Sequence, residues 1–352
     1  MKKTKVAVIG CGTIANSAHL PSYSKNPKVE LAYVCDIIPE RAEAAQKTYG
    51  AGKAVLDYKE ILADPTVTAV SLCVPNYLHA TMAIDCLNAG KHVLCEKPAA
   101  VSYDLAVSMK EAADRNDRIL NIGVVNRFNT SVNRIKAMID NGDLGNVYHV
   151  YCSFRSHRSI PGLGGPFTRT DKAGGGVLID WGVHFLDLIF YCIGQVKPVA
   201  ASGQTYSALG KDMKSYTYTS MWAGPPDYEG VYDVEDFVTG LVRTDGPTIS
   251  VNGAWAQNIG ESAMFIEFLG DKGGVKLQYG GNFVYYSTKD GALTETKYEF
   301  NMSDMFYDEL DAFIDAANEN KKIRSNINEV LVTTKVMEGI YQSAKQNREV
   351  AL

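Results

Sequence analysis

The 352-residue sequence lacks several features that would direct the protein to particular partners. Its formal net charge is −5, which argues against a nucleic-acid or anionic-membrane surface, because both need clustered positive charge. No apolar run approaches the roughly 18 residues that a membrane-spanning helix needs. The apolar run VAVIG after the first lysines is shorter than the roughly 7–15 residues of a secretion signal. We therefore expect no nucleic-acid partner and no membrane.

The seven cysteines lack the spacings that would give them a framework. None forms a C-x-x-C pair or has a metal-like spacing to histidine, so we predict no metal site. Several lie in apolar, strand-like runs, where cysteine behaves as a small hydrophobic residue. An odd number of cysteines without a framework favours a reducing compartment, and we expect a cytoplasmic protein.

What the sequence does contain is an alternation of strand and helix patterns over about its first 125 residues. The apolar runs lie at 5–10, 30–36, 69–75, 92–98 and 118–125, and the helical patterns between them lie at about 13–25, 39–49, 78–89 and 102–115. Near-continuous apolar strands are typical of a parallel sheet that helices cover on both faces. The fold class is therefore α/β, beginning with a doubly wound parallel sheet.

After residue 126 the pattern changes. In order there follow a helical segment, a strand of alternating polarity, a Gly/Pro-rich loop and a second helical segment, at 131–142, 146–158, 159–176 and 177–194. Aromatic and β-branched runs from about 198 to 300 predict a large, mainly antiparallel sheet. Helical patterns at 303–320, with a serine N-cap, and 326–346 end the sequence. We predict two domains, 1–125 and 126–352, with the final helices as candidates to pack back on the first.

The first predicted strand runs into GCGTIA, which fits the G-x-G-x-x-G/A dinucleotide template through Gly10, Gly12 and Ala15. Glycines at these positions permit a tight turn and let backbone amides approach a pyrophosphate closely. The start of the following helix adds the positive end of its dipole. We assign cofactor binding to this loop, including Thr13 and Ile14.

The second predicted strand ends in Asp36, 24 positions after Gly12. An acidic residue near this place accepts hydrogen bonds from ribose hydroxyls and repels a 2′-phosphate, which favours NAD over NADP. A turn-forming aspartate is the alternative interpretation. Arg41 lies close by in the sequence, so NADP stays open as a second cofactor.

Three further strand ends carry residues that we expect to line the same crevice as the glycine loop, because ligands of parallel sheets collect outside the carboxyl ends of the strands. The residues assigned to the cofactor at these ends are Pro75, Asn76, Glu96, Lys97 and Asn126. His79, which begins the helix after the first of these ends, is assigned to the cofactor as well. Helix capping or packing is an equal alternative for this histidine.

Lys97 is the candidate for chemistry within the run LCEKPAA. A partly desolvated lysine has a lowered proton affinity and can exchange a proton or hold a developing alkoxide. Pro98 fixes the local backbone and is a candidate for a cis peptide bond that would aim the lysine. The alternative is a solvated lysine paired with Glu96 at a strand end.

At these residues the sequence resembles a known family. GCGTIA, CVPNYLH, CEKP and GGGVLIDWGVHFLDL resemble the glucose–fructose oxidoreductase/inositol dehydrogenase (Gfo/Idh/MocA) family, and the resemblance covers nearly the whole chain. The Glu-Lys-Pro run with the later Asp-x-x-x-His is its more specific part. The resemblance implies an NAD(P)-binding Rossmann domain and a C-terminal α+β domain. The large open sheet of the latter commonly serves in oligomerisation, so a homodimer or homotetramer is expected.

Asp180 and His184 lie at i and i+4, one turn apart on one face of a helix. A histidine there can take a hydroxyl proton as a nicotinamide takes the hydride, and the aspartate can orient or charge it. The resemblance matches Lys97, Asp180 and His184 to the residues that bind and activate the substrate hydroxyl. Packing of the histidine on an apolar helix is the alternative, and Asp187 is interpreted as structural.

A polar strand end precedes the Gly/Pro-rich loop. Arg155, His157 and Arg158 in SFRSHRS are candidates to line a polyol pocket, and we assign Arg155 and His157 to the substrate. A solvated strand end explains these residues equally well.

The assigned residues predict an NAD(P)-dependent dehydrogenase that acts on a secondary hydroxyl of a sugar, a sugar derivative or an inositol. Lys97 and His184 would be its acid–base groups. A redox-neutral lyase, glycosidase or isomerase that retains its NAD would use the same residues. A ligand-sensing regulator on the same scaffold is the third alternative, which the presence of both residues disfavours.

Overall fold

The computed structural model describes residues 3–194, 196–219 and 221–352. The chain divides into two compact units. One comprises Met1–Phe128 with Ser303–Leu331, and the other comprises Asn129–Met302 with Val332–Leu352. Each unit is therefore assembled from two separate stretches of the sequence.

The first unit is built on a parallel sheet. Its strands are β1 (Thr4–Ile9), β2 (Val29–Cys35), β3 (Lys53–Val55), β4 (Ala69–Leu72), β5 (His92–Glu96) and β6 (Leu120–Gly123). A π-helical turn (Ala15–His19) leads into α1 (Leu20–Lys25), followed by α2 (Pro39–Tyr49), α3 (Lys59–Ala63), α4 (His79–Asn88) and α5 (Tyr103–Arg115). The strand order β3-β2-β1-β4-β5-β6, with every pair parallel, confirms the predicted doubly wound fold.

The strands of this unit read as apolar because both faces of the sheet are buried. In β1, Val6 and Val8 belong to one apolar cluster, whereas Ala7 and Ile9 belong to another. Successive side chains of a strand point to opposite faces, so both faces need apolar residues. The short β3 and α3 were not predicted from the sequence.

The second unit contains α6 (Thr130–Asp140), β7 (Val147–Arg155), α7 (Thr170–Ala173), a π-helical turn (Leu178–Gly182) and α8 (Val183–Ile193). There follow β8 (Pro198–Tyr206), β9 (Phe237–Thr244), β10 (Thr248–Ala254), β11 (Ala263–Gly270), β12 (Gly273–Gln278), β13 (Phe283–Lys289) and β14 (Ala292–Tyr298). With β15 (Val350–Ala351), these strands form the sheet β14-β13-β12-β11-β7-β10-β9-β8-β15. Only β7 and β10 pair in parallel among these described strands, which confirms the predicted, mainly antiparallel sheet.

The end of the chain contributes to both units. Helix α9 (Met305–Glu319) places Leu310, Phe313 and Ile314 in an apolar cluster of the first unit. Helix α10 (Ile327–Gln346) begins in the first unit and ends in the second. The predicted serine N-cap of α9 is wrong by one residue, because the side chain of Asp304 accepts the hydrogen bond from the Tyr307 amide.

The stretch Thr170–Ile193 is the core helix of the second unit. By length and composition it would also suit a membrane span, but 78% of its most apolar window is buried inside the fold. Helices α6 and α8 cover one face of the nine-stranded sheet, where Cys152 and Phe154 of β7 are buried.

Candidate active site

The glycine loop between β1 and the first helical turn leaves room for a pyrophosphate. Gly10 has a φ of +92°, and a Cβ there would lie 2.3 Å from the carbonyl oxygen of Cys73, so only glycine fits. A Cβ on Gly12, in contrast, would meet no atom within 4 Å. The turn itself requires Gly10, whereas Gly12 borders open space. Thr13 is exposed and Ile14 is half-buried at the start of the helix.

The carboxylate of Asp36, directly after β2, is held beside this loop. Its Oδ2 accepts a hydrogen bond from the Cys11 amide at 2.8 Å, and its Oδ1 accepts one from the Ile38 amide at 2.9 Å. Each oxygen keeps a second lone pair that could accept from a ribose hydroxyl. The open loop and the fixed carboxylate therefore fit the pyrophosphate and a ribose of NAD.

Glu96 fixes the backbone turn at Lys97–Pro98, from which the Lys97 side chain extends. Glu96 is 7% exposed. Its Oε1 lies 2.8 Å from His19 Nε2, and its Oε2 accepts the backbone N–H of Lys97 at 3.1 Å. Burial acts to raise the pKa of Glu96, but the hydrogen bond and charge of His19 and the charge of Lys97 outweigh burial, so the pKa lies below its usual value.

The buried imidazole of His79 bridges the ends of two strands. Nδ1 lies 2.7 Å from the carbonyl oxygen of Pro98, and Nε2 lies 2.9 Å from that of Val74. A neutral imidazole can donate to only one of them. Burial lowers the pKa of His79 even though both carbonyls act in the other direction. This packing supports the turn at Lys97–Pro98, whose peptide bond is cis as anticipated.

The other residues assigned to the cofactor follow the same row of strands. Pro75 is exposed, Asn76 and Lys97 are half-buried, and Asn126 is buried. They come after β4, β5 and β6, which are neighbours in the parallel sheet next to β1. The carboxyl ends of these strands therefore form one edge of the first unit.

In the second unit, Asp180 and His184 lie where the π-helical turn passes into α8. Asp180 is 8% exposed, and its Oδ2 accepts a hydrogen bond from the indole Nε1 of Trp255 at 3.2 Å. His184 is half-buried. Single π turns within helices are frequent at functional sites. A desolvated carboxylate and a partly accessible imidazole thus lie one turn apart.

The start of this helical segment is held by Glu235. Its Oε2 accepts from the Gly176 amide at 2.9 Å, and its Oε1 accepts from the Leu178 amide at 3.0 Å and the Tyr341 hydroxyl at 2.7 Å. Burial raises the pKa of Glu235, although these hydrogen bonds oppose the increase. A carboxylate at this place satisfies amides that the first helical turn leaves without partners.

The residues assigned to the substrate outside this helix lie at the end of β7. Arg155 Nε donates to Ser153 Oγ at 3.1 Å, and the backbone oxygen of His157 accepts from the Gln257 amide at 2.9 Å. Both side chains are half-buried, and their contact with a substrate stays a prediction. Within the described ranges, no group of three or more His, Cys, Asp or Glu side chains could hold a metal ion.

The structure thus brings together two sets of predicted residues. In the first unit, a hydrogen bond joins the glycine loop to Asp36. The same unit carries the turn at Lys97–Pro98 on the strands beside β1. The second unit holds Asp180 and His184. The convergence of Lys97 with that pair stays a prediction, as do the individual roles of the site residues. Glu235 and Trp255 were not singled out from the sequence.

A Rossmann unit with an open glycine loop, joined to a unit with a buried Asp–His helix, defines a dinucleotide-dependent oxidoreductase. The domain described as "Oxidoreductase family, NAD-binding Rossmann fold" matches residues 4–124, and the "GFO/IDH/MocA C-terminal domain" matches residues 132–276. These matches cover most of the chain, which therefore belongs to the Gfo/Idh/MocA family. They bear out the predicted family, the NAD cofactor and the class of NAD-dependent dehydrogenase.

Three relatives illustrate the range of similarity. The D-glucoside 3-dehydrogenase of Escherichia coli (strain K12) is 28% identical over 350 residues, which cover 99% of this chain and 97% of the relative. The glucose-6-phosphate 3-dehydrogenase of Bacillus subtilis (strain 168) is 34% identical over 191 residues, 53% of each chain. The structure of levoglucosan dehydrogenase with NADH and levoglucosan superposes with a TM-score of 0.86 at 19% identity, over 99% of both chains, and shows the shared fold.

Proposed function

We propose that this protein oxidises a secondary hydroxyl group of a sugar, a sugar derivative or an inositol. The observation that carries the proposal is the pair formed by Asp180 and His184. Asp180 is 8% exposed and its carboxylate is hydrogen-bonded to an indole, and a half-buried imidazole lies one turn away. A hydroxyl group bound beside this pair would meet a proton acceptor and a fixed negative charge.

In this proposal Lys97 and His184 are the acid–base groups. Each can take the hydroxyl proton on a side-chain nitrogen, and Asp180 orients either the substrate or the imidazole. NAD, when bound, supplies the acceptor for the hydride that leaves the hydroxyl-bearing carbon. Glu96 and His79 hold the backbone at Lys97, which limits the directions in which the amine can extend.

The names of two relatives suggest where on the substrate the reaction takes place. The full-length E. coli relative is named as a D-glucoside 3-dehydrogenase and the B. subtilis relative as a glucose-6-phosphate 3-dehydrogenase. We therefore place glucosides and other glucose derivatives first among candidate substrates, with the hydroxyl at position 3 as the first candidate for oxidation.

A substrate panel tests the proposal directly. Glucosides, free sugars, sugar phosphates, sugar acids and inositols are each incubated with NAD or NADP, and NADH or NADPH is followed by its absorbance. We expect NADH with a group of substrates that share the configuration at one carbon. Sugar turnover seen by NMR without free NADH would instead favour the redox-neutral alternative. NAD binding without turnover of any panel member would contradict the dehydrogenase proposal.

We also propose that the nine-stranded sheet pairs with a second copy of the chain, in a homodimer or homotetramer. On the face opposite α6 and α8, Tyr151 is 45% exposed although β7 is the central strand of the sheet. Its neighbours across the sheet are Ser250 and Glu267. Exposed tyrosines away from sheet edges are typical of interfaces, where their rings bury a large area.

Light scattering tests the oligomer. We expect the wild type to have a mass of two or four chains and Tyr151→Lys to shift it toward one. Ile37→Lys, at an 86% exposed position of the first unit, is the matched control and should leave the mass unchanged. A monomeric wild type would contradict this part of the proposal.

A reducing location is consistent with the cysteines. All seven are buried free thiols. Burial raises the pKa of Cys11 to about 11 and that of Cys35 to about 12, so these thiols resist ionisation and oxidation. We propose that the protein works in the cytoplasm.

A further inference from the structure

Asp180 can act on a substrate only if its carboxylate is held in one orientation. Asp180 as a residue is 8% exposed, so little water reaches it, and a buried carboxylate needs hydrogen-bond donors. The indole Nε1 of Trp255 lies 3.2 Å from its Oδ2. An indole N–H can only donate, so the Asp180 carboxylate must be the acceptor. The hydrogen bond therefore restrains the rotation of the carboxylate.

The indole itself is held rigidly. Trp255 directly follows β10 and has no exposed surface. Its backbone amide donates to the carbonyl oxygen of Asp236 at 2.9 Å, and its carbonyl oxygen accepts from the Ser159 amide at 2.8 Å. With both backbone groups bonded and the ring packed in the core of the second unit, the donor cannot follow a moving carboxylate.

The partner of the Trp255 amide is fixed in turn. Asp236 is fully buried, and its carboxylate accepts hydrogen bonds from the amides of Ala208, Leu209 and Gly210 at 2.7–3.0 Å. Its neighbour Glu235 holds the start of the helix that carries Asp180. Two consecutive acidic residues thus support the Asp180 side chain, one through the helix and one through the indole.

We infer that Trp255 is a positioning residue for the proposed reaction: its indole N–H holds one oxygen of Asp180 and so fixes the direction in which the carboxylate faces the substrate. The inference rests on the proposed role of Asp180. It extends that role to a residue 75 positions away in the sequence, which contributes a single hydrogen bond and does not touch the substrate.

Two substitutions separate the hydrogen bond from the packing. The imidazole ring of histidine matches the five-membered ring of indole, so Nε2 of a histidine at position 255 can take the place of Nε1. Trp255→His therefore keeps a donor, whereas Trp255→Phe removes it, and both variants lose packing in the core. Trp222→Phe is the matched control, because Trp222 is 56% exposed and is not among the residues assigned to the site.

The contact itself can be tested without substrate or cofactor. The chain has three tryptophans and hence three indole N–H resonances in an amide NMR spectrum. The Trp255 resonance is the one absent from Trp255→Phe, and we expect Asp180→Ala to shift it strongly while the Trp222 resonance stays in place. An unmoved Trp255 resonance would overturn the inference whatever the enzyme does.

Steady-state kinetics with a substrate from the panel test whether the hydrogen bond between Trp255 and Asp180 matters for turnover. We expect Trp255→Phe to lose about tenfold in kcat/KM, Trp255→His to recover most of that loss, and Trp222→Phe to match the wild type. In an Asp180→Ala background, Trp255→Phe should cost less than about twofold, because the two residues act as one unit.

Equal losses in Trp255→Phe and Trp255→His, or a full tenfold loss without Asp180, would show that the indole only fills the core and would overturn the inference. If Trp255→Phe does not fold, the comparison of Trp255→His with the wild type and the Asp180→Ala spectrum still decide the matter. A wild type that turns over no sugar would count against the proposed function, and the NMR result would then stand on its own.

Discussion

The two units fix the backbone beside their functional residues with opposite kinds of group. In the first, the imidazole of His79 lies between the carbonyl oxygens of Val74 and Pro98. In the second, the carboxylate of Glu235 accepts the amides of Gly176 and Leu178. Beside the acceptor Glu96, the first unit thus uses a buried donor, whereas the second unit uses a buried acceptor.

The difference follows from which backbone groups each fold leaves without a hydrogen-bond partner. Beyond the carboxyl ends of parallel strands, carbonyl oxygens lose their partners in the sheet. The first turn of a helix leaves amides without partners. Buried groups of either kind must be paired, so unpaired carbonyl oxygens at strand ends need buried donors and unpaired amides at a helix start need buried acceptors.

The contributions of His79 and Glu235 to stability depend on pH in opposite directions. Burial lowers the pKa of His79, so its contribution to stability is present above the unfolded value of 6.5 and is lost as the pH falls. Burial raises the pKa of Glu235, so its contribution is most favourable at low pH and is lost as the pH rises from the unfolded value of 4.5 through the folded one.

The largest expected effect is on turnover. In the proposed mechanism Lys97 transfers the proton, and His79 and Glu96 only fix its backbone. Lys97→Ala should therefore lower kcat by about 10²–10⁴-fold and leave the Kd for NAD nearly unchanged. Steady-state kinetics and calorimetry measure the two quantities. Lys110→Ala, at a partly exposed lysine paired with Asp114 on α5, is the control. An active Lys97→Ala enzyme would remove the lysine from the mechanism.

The next effect should appear in the stability of the second unit. In Glu235→Gln the side-chain amide can accept from only one of the Gly176 and Leu178 amides and turns its own N–H groups toward the other. We expect the free energy of unfolding to fall by about 2 kcal/mol, measured by urea denaturation. Tyr341→Phe keeps the carboxylate and removes one donor, so it should cost about 1 kcal/mol. Equal stability of Glu235→Gln and the wild type would contradict this role of the carboxylate.

A smaller effect is expected on cofactor binding by the first unit. Asp36→Asn removes the negative charge and turns an N–H group toward either the Cys11 or the Ile38 amide. We expect the affinity for NAD to fall about tenfold, equivalent to about 1.4 kcal/mol, and the preference for NAD over NADP to shrink. Calorimetry with both cofactors measures the change. Asp64→Asn, at another carboxylate that accepts a backbone amide but precedes β4, should bind NAD as the wild type does.

The last expected effect is on stability in acid. His92 Nδ1 accepts the Ile119 amide at 3.0 Å, and burial together with the charge of Arg118 lowers the pKa of His92 to about 4. Between the unfolded value of 6.5 and about 4, the unfolded chain binds a proton that the folded chain does not. Stability should therefore fall with decreasing pH, by up to about 1.4 kcal/mol per pH unit from this group.

His92→Asn isolates that contribution, because the asparagine oxygen can take the place of Nδ1 and does not titrate. Urea denaturation at several pH values should show a shallower loss of stability in the variant over this window. The same slope in the variant and the wild type would mean that His92 is protonated in the folded chain.

Much of the first unit could be predicted because its strands are apolar on both faces. The runs that became β1, β2, β4, β5 and β6 stand out from their flanking turns and helices. The missed strand β3 has three residues, of which only Val55 is buried, and α3 has five residues with only Ile61 buried. Elements this short carry too little apolar pattern to be recognised.

The candidate site was predictable only where its residues are close in the sequence. Gly10, Gly12, Asp180 and His184 belong to local patterns with fixed spacing. Trp255 and Glu235 act on residues 75 and 57–59 positions away, so no local pattern connects them with the helix. The contact of His19 with Glu96, 77 positions away, could not be predicted for the same reason.

The return of the chain after residue 302 has a consequence for dissecting the protein. A fragment that stops at Phe128 would keep all six parallel strands but would lack Leu310, Phe313 and Ile314 of α9, which fill an apolar cluster against them. The nucleotide-binding half cannot be isolated by a single cut. Expressing it alone would require a linker that joins residue 128 to residue 303 and an end at residue 331, because Val332–Leu352 belongs to the second unit as well.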